Sequence, residues 1–481
     1  FKQKTAYEIG VRLVGSEMCI RDRLENILIL GIGGVGMHLA RRLVHEGASV
    51  TVIETDPKLV QEADETMDAR VLKGNSMSLS SWRAAEAESM ELMIAATNDD
   101  ATNMLSALIA DRFGIERKIV RVRSLDFEPG SVLPPEELKI DLMVHPEELL
   151  AQEIYRLVKR AACNDLIDIG NGWMQVLALR VDDQSPLVFK SPRELSAIHD
   201  QYHFRVVALG RGISSIIRQA DETIRPQDQV FILAKRDDME QLMKQMRIRD
   251  QGISRMMILG GGLVGRRVAQ LLEKEIEITL IENKHERAEE LAVNLEKTQV
   301  IEGDGTDANV LVMAGMDRME SFVATTGDNE TNIITCLLAK HLMNRGNREI
   351  QGAQGKTIAL VDKEDHLVLS STIGLDVVLN AKISAANEIL KFIRRSELLS
   401  VAHLHGVDAE VVEVVASPGS EITRKPLKKL ASYLKKYEII IGGIHQNGTW
   451  EIAVGASEVQ PGARVVLVCS SRNLRNVHKL F

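Results

Sequence analysis

The first part of the chain alternates short apolar runs with amphipathic stretches. The runs are Ile27 to Leu30, Ser49 to Ile53, Ala69 to Leu72, Leu92 to Ala96 and Lys118 to Val122, and the segments between them place apolar residues at helical spacing. Strands that alternate with helices are typical of a parallel sheet with helices on both faces. The pattern therefore predicts a Rossmann-like, doubly wound α/β domain.

The same order of motifs occurs a second time. ILILGIGGVGMHLA from Ile27 aligns without a gap with MMILGGGLVGRRVA from Met256, and TNDDATN from Thr97 aligns with TGDNETN from Thr326. Near the end of each copy, IRPQDQVFIL aligns with VQPGARVVLV. Because self-similarity in a fixed order marks an internal repeat, the chain is predicted to be a tandem of one unit of about 230 residues.

The second part of each unit has a different pattern, with β-rich runs such as Gln175 to Val181, Phe204 to Ala208 and Gln229 to Ala234. These runs favour a small α+β lobe joined to the preceding sheet domain by an apolar linking helix. The predicted parts are an N-terminal extension at 1–23, Rossmann-like domains at 24–146 and 251–381, and a linking helix with its α+β lobe at 147–250 and 382–481.

Residues 1–23 do not share the pattern of the remainder. The segment shows no sustained period, has no counterpart in the second unit, and lacks the apolar stretch that follows the charges of a signal peptide. We interpret it as a non-native or disordered extension and exclude it from the fold prediction.

The composition is that of a globular protein, with 26% charged and 45% hydrophobic residues among 481. The 59 Lys and Arg against 68 Asp and Glu give a formal net charge of −9, which disfavours a broad nucleic-acid or anionic-membrane surface. No uncharged apolar run approaches the roughly 20 residues of a membrane span, and no metal-type or redox pair is formed by Cys19, Cys163, Cys336 and Cys469. We expect a cytoplasmic protein that binds neither nucleic acid nor a structural metal.

Gly31-Ile32-Gly33-Gly34-Val35-Gly36 follows a predicted strand and opens a predicted helix, as in the dinucleotide-binding fingerprint G-x-G-x-x-G. Glu54 ends the next strand, at the spacing expected for an acidic residue that accepts hydrogen bonds from ribose hydroxyls. The helix N-terminus offers N–H groups and a partial positive charge to phosphates. The arrangement is repeated by Gly260, Gly262, Gly265 and Glu282. Each glycine loop with its carboxylate, Glu54 or Glu282, is called a cradle here and is predicted to bind NAD(H) or an adenine nucleotide. The carboxylates disfavour NADP because they would repel its 2′-phosphate.

Polar residues follow other strands at the same predicted edge. Asn75, Thr97 and Asn98 lie where open α/β sheets bind ligands, although each residue type also suits a turn or a helix N-cap. Arg121, in IVRVRS, is predicted to direct a cation at this crevice, whereas Leu360 takes its place in the second unit. The two cradles are therefore predicted to differ in affinity for the same ligand.

Enzyme-like motifs are present but incomplete. Tyr155 and Lys159 have the spacing of the short-chain dehydrogenase pair, but Leu390 replaces the tyrosine in the second unit, so an apolar helix face explains both better. Gly355-Lys356-Thr357 resembles part of a P-loop, yet it precedes a strand instead of following one. No third metal ligand accompanies the histidine pairs His199 with His203 and His403 with His405. We predict a nucleotide sensor without catalytic residues. The alternatives are a soluble NAD-dependent oxidoreductase and a redox-sensing DNA-binding regulator.

In combination, GIGGVG and GGGLVG, TNDDATNM and TGDNETNI, RVRS, YRLVK and the two closing β-rich runs resemble the TrkA family of potassium uptake proteins, which is built from tandem RCK (regulator of potassium conductance) units. The resemblance covers Leu24 to Phe481. It implies a cytoplasmic regulatory subunit, peripheral on the inner membrane, that binds NAD(H) and adenine nucleotides such as ATP and ADP. It also implies a homo-oligomer, a dimer or a tetramer ring, that docks on a Trk-type potassium-translocating membrane subunit and gates it.

Carried over residue by residue, the resemblance implies a set of nucleotide contacts. In the first unit they are Gly31, Ile32, Gly33, Gly34, Val35, Glu54, Asn75, Thr97, Asn98 and Arg121. In the second unit they are Gly260, Gly261, Gly262, Leu263, Val264, Glu282, Asp304 and Thr326. The sequence departs from the family pattern at Asn75, where His or Asp is expected, and at Leu360, where an arginine is expected.

Overall fold

The computed structural model describes residues 26–127, 130–159, 165–181, 185–196, 204–211, 214–217, 221–246, 252–346, 355–363, 366, 373–393, 400–404 and 407–481. The predicted extension at 1–23 lies outside the described residues. The same holds for Cys19, Cys163, His199, His203 and His405, and for the side chain of His403.

The first domain is a parallel sheet flanked by helices. Its strands are β1 (Asn26–Leu30), β2 (Ser49–Glu54), β3 (Arg70–Lys73), β4 (Leu92–Ala95), β5 (Arg117–Arg121) and β6 (Leu142–Val144), and its helices are α1 (Gly34–His45), α2 (Pro57–Thr66), α3 (Leu79–Ala84) and α4 (Asp100–Arg112). Single 3₁₀ turns lie at Ala87–Ser89 and Leu125–Phe127. The order β3-β2-β1-β4-β5-β6 with every pair parallel is the Rossmann order, which confirms the predicted fold. β1 is apolar at successive positions because both of its faces are covered: Ile27 to Leu30 are at most 1% exposed.

A helix and an antiparallel lobe follow. They comprise α5 (Pro146–Lys159), β7 (Asp165–Ile169), β8 (Met174–Arg180), α6 (Pro192–Ser196), β9 (Phe204–Arg211), β10 (Ser214–Ile216), β11 (Gln229–Lys235) and α7 (Arg236–Gln245). The strand order in this lobe is β10-β9-β11-β8-β7.

The second domain repeats the first. It contains β12 (Arg255–Leu259), α8 (Leu263–Leu272), β13 (Glu277–Glu282), α9 (His285–Asn294), β14 (Gln299–Glu302), α10 (Ala308–Met313), a 3₁₀ turn (Met316–Arg318), β15 (Ser321–Ala324), α11 (Asn329–Gly346), β16 (Lys356–Leu360) and β17 (Val377–Leu379). The order β14-β13-β12-β15-β16-β17 is again the Rossmann order.

The second lobe has the topology of the first. It contains α12 (Ala381–Ile393), β18 (Ser400–His403), β19 (Glu410–Val415), α13 (Glu421–Arg424), a 3₁₀ turn (Leu427–Leu430), α14 (Ala431–Lys436), β20 (Ile439–Gln446), β21 (Thr449–Ile452), β22 (Arg464–Cys469), a 3₁₀ turn (Ser471–Asn473) and α15 (Leu474–His478). The order β18-β19-β22-β20-β21 matches that of the first lobe strand for strand, so the tandem repeat extends through the whole unit.

The described residues form two compact units: one comprises those within 1–145 and 385–397, and the other those within 146–384 and 398–481. In the second unit, α5 packs on α8 through a shared apolar cluster that includes Leu150, Ile154, Val268 and Leu272. The helix that follows the first Rossmann-like domain is therefore part of the core of the second.

Three residues of the two enzyme-like motifs, Tyr155, Lys159 and Lys356, make contacts that attach α5 to the second domain. Tyr155 packs against the same apolar cluster, and Lys159 forms an ion pair with Glu275. Lys356 is 5% exposed and donates to the carbonyl of Leu157 in the last turn of α5, at 2.6 Å. A cation at a helix C-terminus is favourable on both hydrogen-bonding and dipole grounds. Both motifs thus have structural explanations in the described residues.

The described part of the chain has neither a candidate membrane span nor a candidate metal site. No helix there is both long and apolar enough to cross a membrane. In the same residues, no group of three or more His, Cys, Asp and Glu side chains is arranged to hold a metal ion.

Candidate functional site

The chain turns sharply between β1 and α1, and two glycines make this turn sterically feasible. Gly31 has a φ of +82°, and a Cβ there would lie 2.9 Å from Cγ2 of Thr97. A Cβ at Gly36 would lie 2.0 Å from the carbonyl oxygen of Gly31. The first glycine allows the turn and the last allows α1 to lie against β1, as the fingerprint requires.

Gly33 has the opposite environment, because a Cβ at this position would meet no atom within 4 Å. It is the N-cap of α1, and no side chain caps the helix. The N–H groups of the first turn therefore face an open space beside backbone that carries no side chain. This is the geometry in which a helix N-terminus receives a phosphate.

The carboxylate of Glu54 is fixed beside this turn. The residue is 8% exposed, and its Oε2 accepts a hydrogen bond from the backbone N–H of Ile32 at 2.8 Å. Its Oε1 accepts from the backbone N–H groups of Thr55 and Asp56 at 2.7 and 2.9 Å. A carboxylate oxygen has lone pairs for more than one donor, so Glu54 is a rigid acceptor with capacity for ribose hydroxyls.

Ile32 and Val35 differ from the other predicted contacts in one respect. Their side chains are 0% and 4% exposed and belong to the core. Only their backbone atoms are available to a ligand.

The ends of β4 and β5 are joined by a buried asparagine that the sequence interpretation did not single out. Asn103 in α4 is 0% exposed. Its Oδ1 accepts from the backbone N–H and the hydroxyl of Thr97 at 3.0 and 2.6 Å, and its Nδ2 donates to the carbonyls of Thr97 and Arg121, both at 3.0 Å. The internal repeat could have identified Asn103 from the sequence, because the aligned segments TNDDATN and TGDNETN both end in asparagine.

Asn98 and Asn75 lie on the same carboxyl edge of the sheet with different partners. Oδ1 of Asn98 accepts from the guanidinium groups of Arg121 and Arg123 at 3.3 and 3.4 Å. Oδ1 of Asn75 accepts from the backbone N–H of Met77 at 2.8 Å, which closes an Asx turn. Of the two roles that the sequence left open for Asn75, the structure displays the turn.

The second cradle reproduces the first at backbone level. Gly260 has a φ of +94°, a Cβ at Gly262 would meet nothing within 4 Å, and a Cβ at Gly265 would lie 2.0 Å from the carbonyl oxygen of Gly260. Glu282 is 4% exposed, and its Oε2 accepts from the backbone N–H of Gly261 at 2.8 Å. The predicted contacts Leu263 and Val264 open α8, where Leu263 is 61% exposed and Val264 packs against the cluster shared with α5.

The far edge of the second cradle has the same asparagine contacts as the first, but Leu360 stands where the first cradle has Arg121. Asn332 holds Thr326 and the carbonyl of Leu360 in the way that Asn103 holds Thr97 and Arg121. Asp304 takes the place of Asn75. Hydrogen bonds from the backbone and hydroxyl of Thr306 to Oδ1 of Asp304, at 2.9 and 2.8 Å, lower the pKa of that carboxyl, so it remains ionised at neutral pH.

Two sheets in Rossmann order, each with a glycine cradle beside a buried carboxylate and each followed by the same antiparallel lobe, define a protein of two tandem Rossmann-like units. The sequence model of the TrkA-N domain matches residues 27–146 and 256–381, together just over half of the chain, and that of the TrkA-C domain matches residues 176–247. The chain therefore belongs to the TrkA family, as the resemblance predicted.

Curated relatives match along almost their whole length. The Trk system potassium uptake protein TrkA of Halomonas elongata is 28% identical over 95% of this chain and 98% of its own. The protein of the same name from Haemophilus influenzae is 27% identical over the same shares. Among archaeal relatives, the TrkA homolog 2 of Methanosarcina mazei is 27% identical over 94% of this chain and 99% of its own.

Solved structures share the fold. The GsuK RCK domain aligns with a TM-score of 0.58 at 19% identity, covering 96% of this chain and 95% of that one. The GsuK channel bound to NAD aligns with the same score and identity over 96% of this chain and 79% of that one. At this identity the likeness supports the RCK-type architecture and nothing finer.

Proposed function

We propose that this chain is a cytoplasmic, nucleotide-sensing regulatory subunit of a Trk-type potassium uptake system. It binds NAD(H) and the adenine nucleotides ATP and ADP at its two cradles and performs no turnover. It assembles as a homo-oligomer, a dimer or a tetramer ring, and gates a potassium-translocating membrane subunit from the cytoplasmic face of the inner membrane.

One observation carries the nucleotide part of the proposal. At Gly33 and at Gly262, an uncapped helix N-terminus faces open space next to a buried carboxylate that backbone N–H groups hold in place. The helix start suits a pyrophosphate, and the carboxylate suits the ribose hydroxyls of an adenosine. The residues present therefore fit a dinucleotide, and NAD(H) would supply phosphate charge for the helix start and ribose hydroxyls for the carboxylate.

The regulatory part is supported by the relatives. Proteins that match this chain over nearly their full length are named Trk system potassium uptake proteins, and a structure with the same fold is a channel bound to NAD. A ligand that prefers one of two conformations tenfold contributes only about 1.4 kcal/mol per site. Several coupled sites are needed for a full switch, which favours an oligomer of this two-site chain.

Replacing Gly33 by alanine is expected to weaken nucleotide binding at the first site at least tenfold while leaving the stability of the protein unchanged. The new methyl group enters the open space that the pyrophosphate would fill, and it contacts no protein atom. The φ of −56° at this position is one that alanine adopts readily. Calorimetric titration with NADH, beside thermal unfolding, measures both quantities.

Gly262→Ala is the matched control, because it makes the same change in the second cradle. The two variants should each lose one binding event, and the double variant should lose both. Wild-type protein that binds neither NADH nor an adenine nucleotide would contradict the proposal. Sustained NADH consumption by the purified protein would instead favour an oxidoreductase.

Gating requires the membrane partner. We expect potassium flux through the translocation subunit in liposomes to respond to NADH and ATP when wild-type protein is added. With the Gly33→Ala, Gly262→Ala double variant, we expect no response. Flux that ignores nucleotide with both proteins present would refute the regulatory role and leave binding intact.

A further inference from the structure

A nucleotide bound as proposed places its base beside β3 in the first cradle. The helix N-terminus that suits the phosphates follows β1, and Glu54, which suits the ribose, ends β2. In the sheet, β2 lies between β1 and β3, and neighbouring strands are about 4.8 Å apart. Because a nucleotide joins phosphate, ribose and base in that order, its base continues towards the carboxyl end of β3. The second cradle has the same order, since Glu282 ends β13, which lies between β12 and β14.

One side chain at this base end differs between the cradles, although its loop does not. Asn75 in the first cradle and Asp304 in the second each come directly after a glycine that follows the strand. The N–H of that glycine, Gly74 or Gly303, donates at 2.9 Å to the backbone carbonyl of the glutamate of the cradle. Both loops are therefore attached to the strand that carries this glutamate.

In both loops a turn occupies one terminal atom of this side chain. Oδ1 of Asn75 accepts from the backbone N–H of Met77 at 2.8 Å, and Oδ1 of Asp304 accepts from the backbone N–H of Thr306 at 2.9 Å. A backbone N–H bonds to the oxygen of an amide and not to its NH₂ group, so the remaining atom of Asn75 is Nδ2. The remaining atom of Asp304 is Oδ2. Both residues are exposed, and neither turn uses these remaining atoms.

The two remaining atoms have opposite hydrogen-bonding character. Nδ2 of Asn75 can only donate. The hydrogen bonds from the backbone and hydroxyl of Thr306 lower the pKa of Asp304, so this carboxyl is ionised at neutral pH and its Oδ2 can only accept. Two loops of the same backbone geometry thus present a donor in the first cradle and an acceptor in the second.

The residues that end the two strands differ in the same sense. Lys73 ends β3 and Glu302 ends β14, and each is the register partner of the glutamate of its cradle. Lys73 adds a donor to the base end of the first cradle. Glu302 is paired with Nδ1 of His285 at 2.8 Å, so Asp304 rather than Glu302 provides the acceptor of the second cradle.

We propose that the two cradles distinguish purines by the group at position 6. The second cradle requires a 6-aminopurine such as adenine, and the first binds a 6-oxopurine such as hypoxanthine at least as well. The inference rests on the proposed nucleotide binding and specifies the base that each site takes. A 6-amino group donates to the carboxylate of Asp304, whereas a 6-oxo oxygen is repelled by it. Nδ2 of Asn75 donates to a 6-oxo oxygen and equally to a ring nitrogen of adenine.

The test is calorimetric titration of ADP and of inosine diphosphate, which has the same ribose and phosphates and carries hypoxanthine in place of adenine. Gly262→Ala protein reports the first site, and Gly33→Ala protein reports the second. At the second site we expect ADP to bind at least tenfold more tightly than inosine diphosphate, which is the worth of one hydrogen bond to a charged group. At the first site we expect inosine diphosphate to bind at least as tightly as ADP.

Exchanging the two side chains should exchange the preferences. Asn75→Asp in Gly262→Ala protein should give the first site the tenfold preference for ADP, and Asp304→Asn in Gly33→Ala protein should abolish it at the second. Both changes keep Oδ1 and therefore the turn, and thermal unfolding checks that each variant is folded. Asp307→Asn is the matched control, because it removes the same charge from the N-cap of α10 in the same loop. It should leave the ratio of the two affinities unchanged.

The same ratio of ADP to inosine diphosphate affinity at both sites of folded protein would overturn this proposal. An unchanged ratio after Asp304→Asn would overturn it as well, since the carboxylate would then not contact the base. If the wild-type protein bound neither of the two nucleotides nor NADH, the proposed function itself would fail.

Discussion

Alanine at Gly36 is expected to destabilise the first Rossmann-like domain by about 3 kcal/mol, at the upper end of the range for overpacked positions. The added Cβ would lie 2.0 Å from the carbonyl oxygen of Gly31 and 3.0 Å from its carbonyl carbon. Gly31 cannot move aside easily, since its N–H donates to the carbonyl of Ile53 at 2.9 Å and a Cβ built on it would lie only 2.9 Å from Cγ2 of Thr97. To accept the methyl group, α1 must separate from β1 and lose part of the apolar contact between them.

Amide hydrogen exchange followed by mass spectrometry measures this effect, because it assigns the loss of protection to individual elements. Peptides from β1, α1 and β2 should exchange faster in Gly36→Ala, and those from β12 and α8 should not. Gly265→Ala should give the reverse pattern, since a Cβ there lies 2.0 Å from the carbonyl oxygen of Gly260. Gly33→Ala is the internal control, with the same added methyl group and no expected change in protection. If the amides of Gly36→Ala were as well protected as those of the wild type, the close approach of α1 to β1 would not require glycine.

The fold could be predicted from the sequence wherever burial on both faces of a strand produces a continuous apolar run. Ile27 to Leu30 is such a run, and the strand observed there, Asn26–Leu30, differs from the prediction by one residue. The edge strand Leu142–Val144 was not predicted, because its three residues are too few to establish a period. The packing of α5 on the second domain was equally out of reach. Helical periodicity shows that a helix has an apolar face but does not identify the surface that covers it.

The glycine cradles could be predicted because the fingerprint encodes backbone constraints, which are local. Gly31 and Gly36 are required by a turn and by a close approach that six residues of sequence contain in full. The far edge of each site could not be predicted in this way. Asn103 forms hydrogen bonds with Thr97 and with the carbonyl of Arg121, which is 18 residues away along the chain, and the second of these bonds forms only once the sheet has formed. Comparison of the two units was the one route to it.

The same limit explains the residue types that sequence reasoning left open. Asn75 suits both a turn and a ligand contact, and it closes a turn with Met77 in the structure. The hydrogen bonds from Arg121 and Arg123 to Asn98 carried no signal in the sequence. Asn98 follows β4 and the arginines lie at the end of β5 or just after it, and these two strands become neighbours only in the sheet. Contacts that depend on the order of strands cannot be read from local pattern.

Replacing Asn103 by aspartate is expected to cost about 4 kcal/mol of stability at neutral pH, because two buried donor contacts are lost. The variant keeps the size of the side chain but replaces Nδ2, which donates to the carbonyls of Thr97 and Arg121, by an oxygen that faces both carbonyls. Asn103 is 0% exposed, so no water replaces the missing donor. First-site nucleotide affinity should fall as well, since Thr97 and Arg121 both lose their common anchor.

The effect should depend on pH in a defined direction. Burial and the facing carbonyls would raise the pKa of an aspartate at position 103 in the folded state above its unfolded value. The folded variant then binds a proton more tightly than the unfolded chain does, so its deficit relative to wild type is full above the folded pKa and shrinks as the pH falls through it. Denaturant unfolding of variant and wild type at pH 8 and pH 5, with hydrogen exchange to localise the change, measures this difference.

Asn332→Asp is the matched variant and should produce the same loss in the second domain, where Asn332 donates to the carbonyls of Thr326 and Leu360 at 2.9 Å. A deficit of under 1 kcal/mol at pH 8 in both variants would mean that the sheet edge holds its geometry without the buried amide, since the loss of even one such bond exceeds that value.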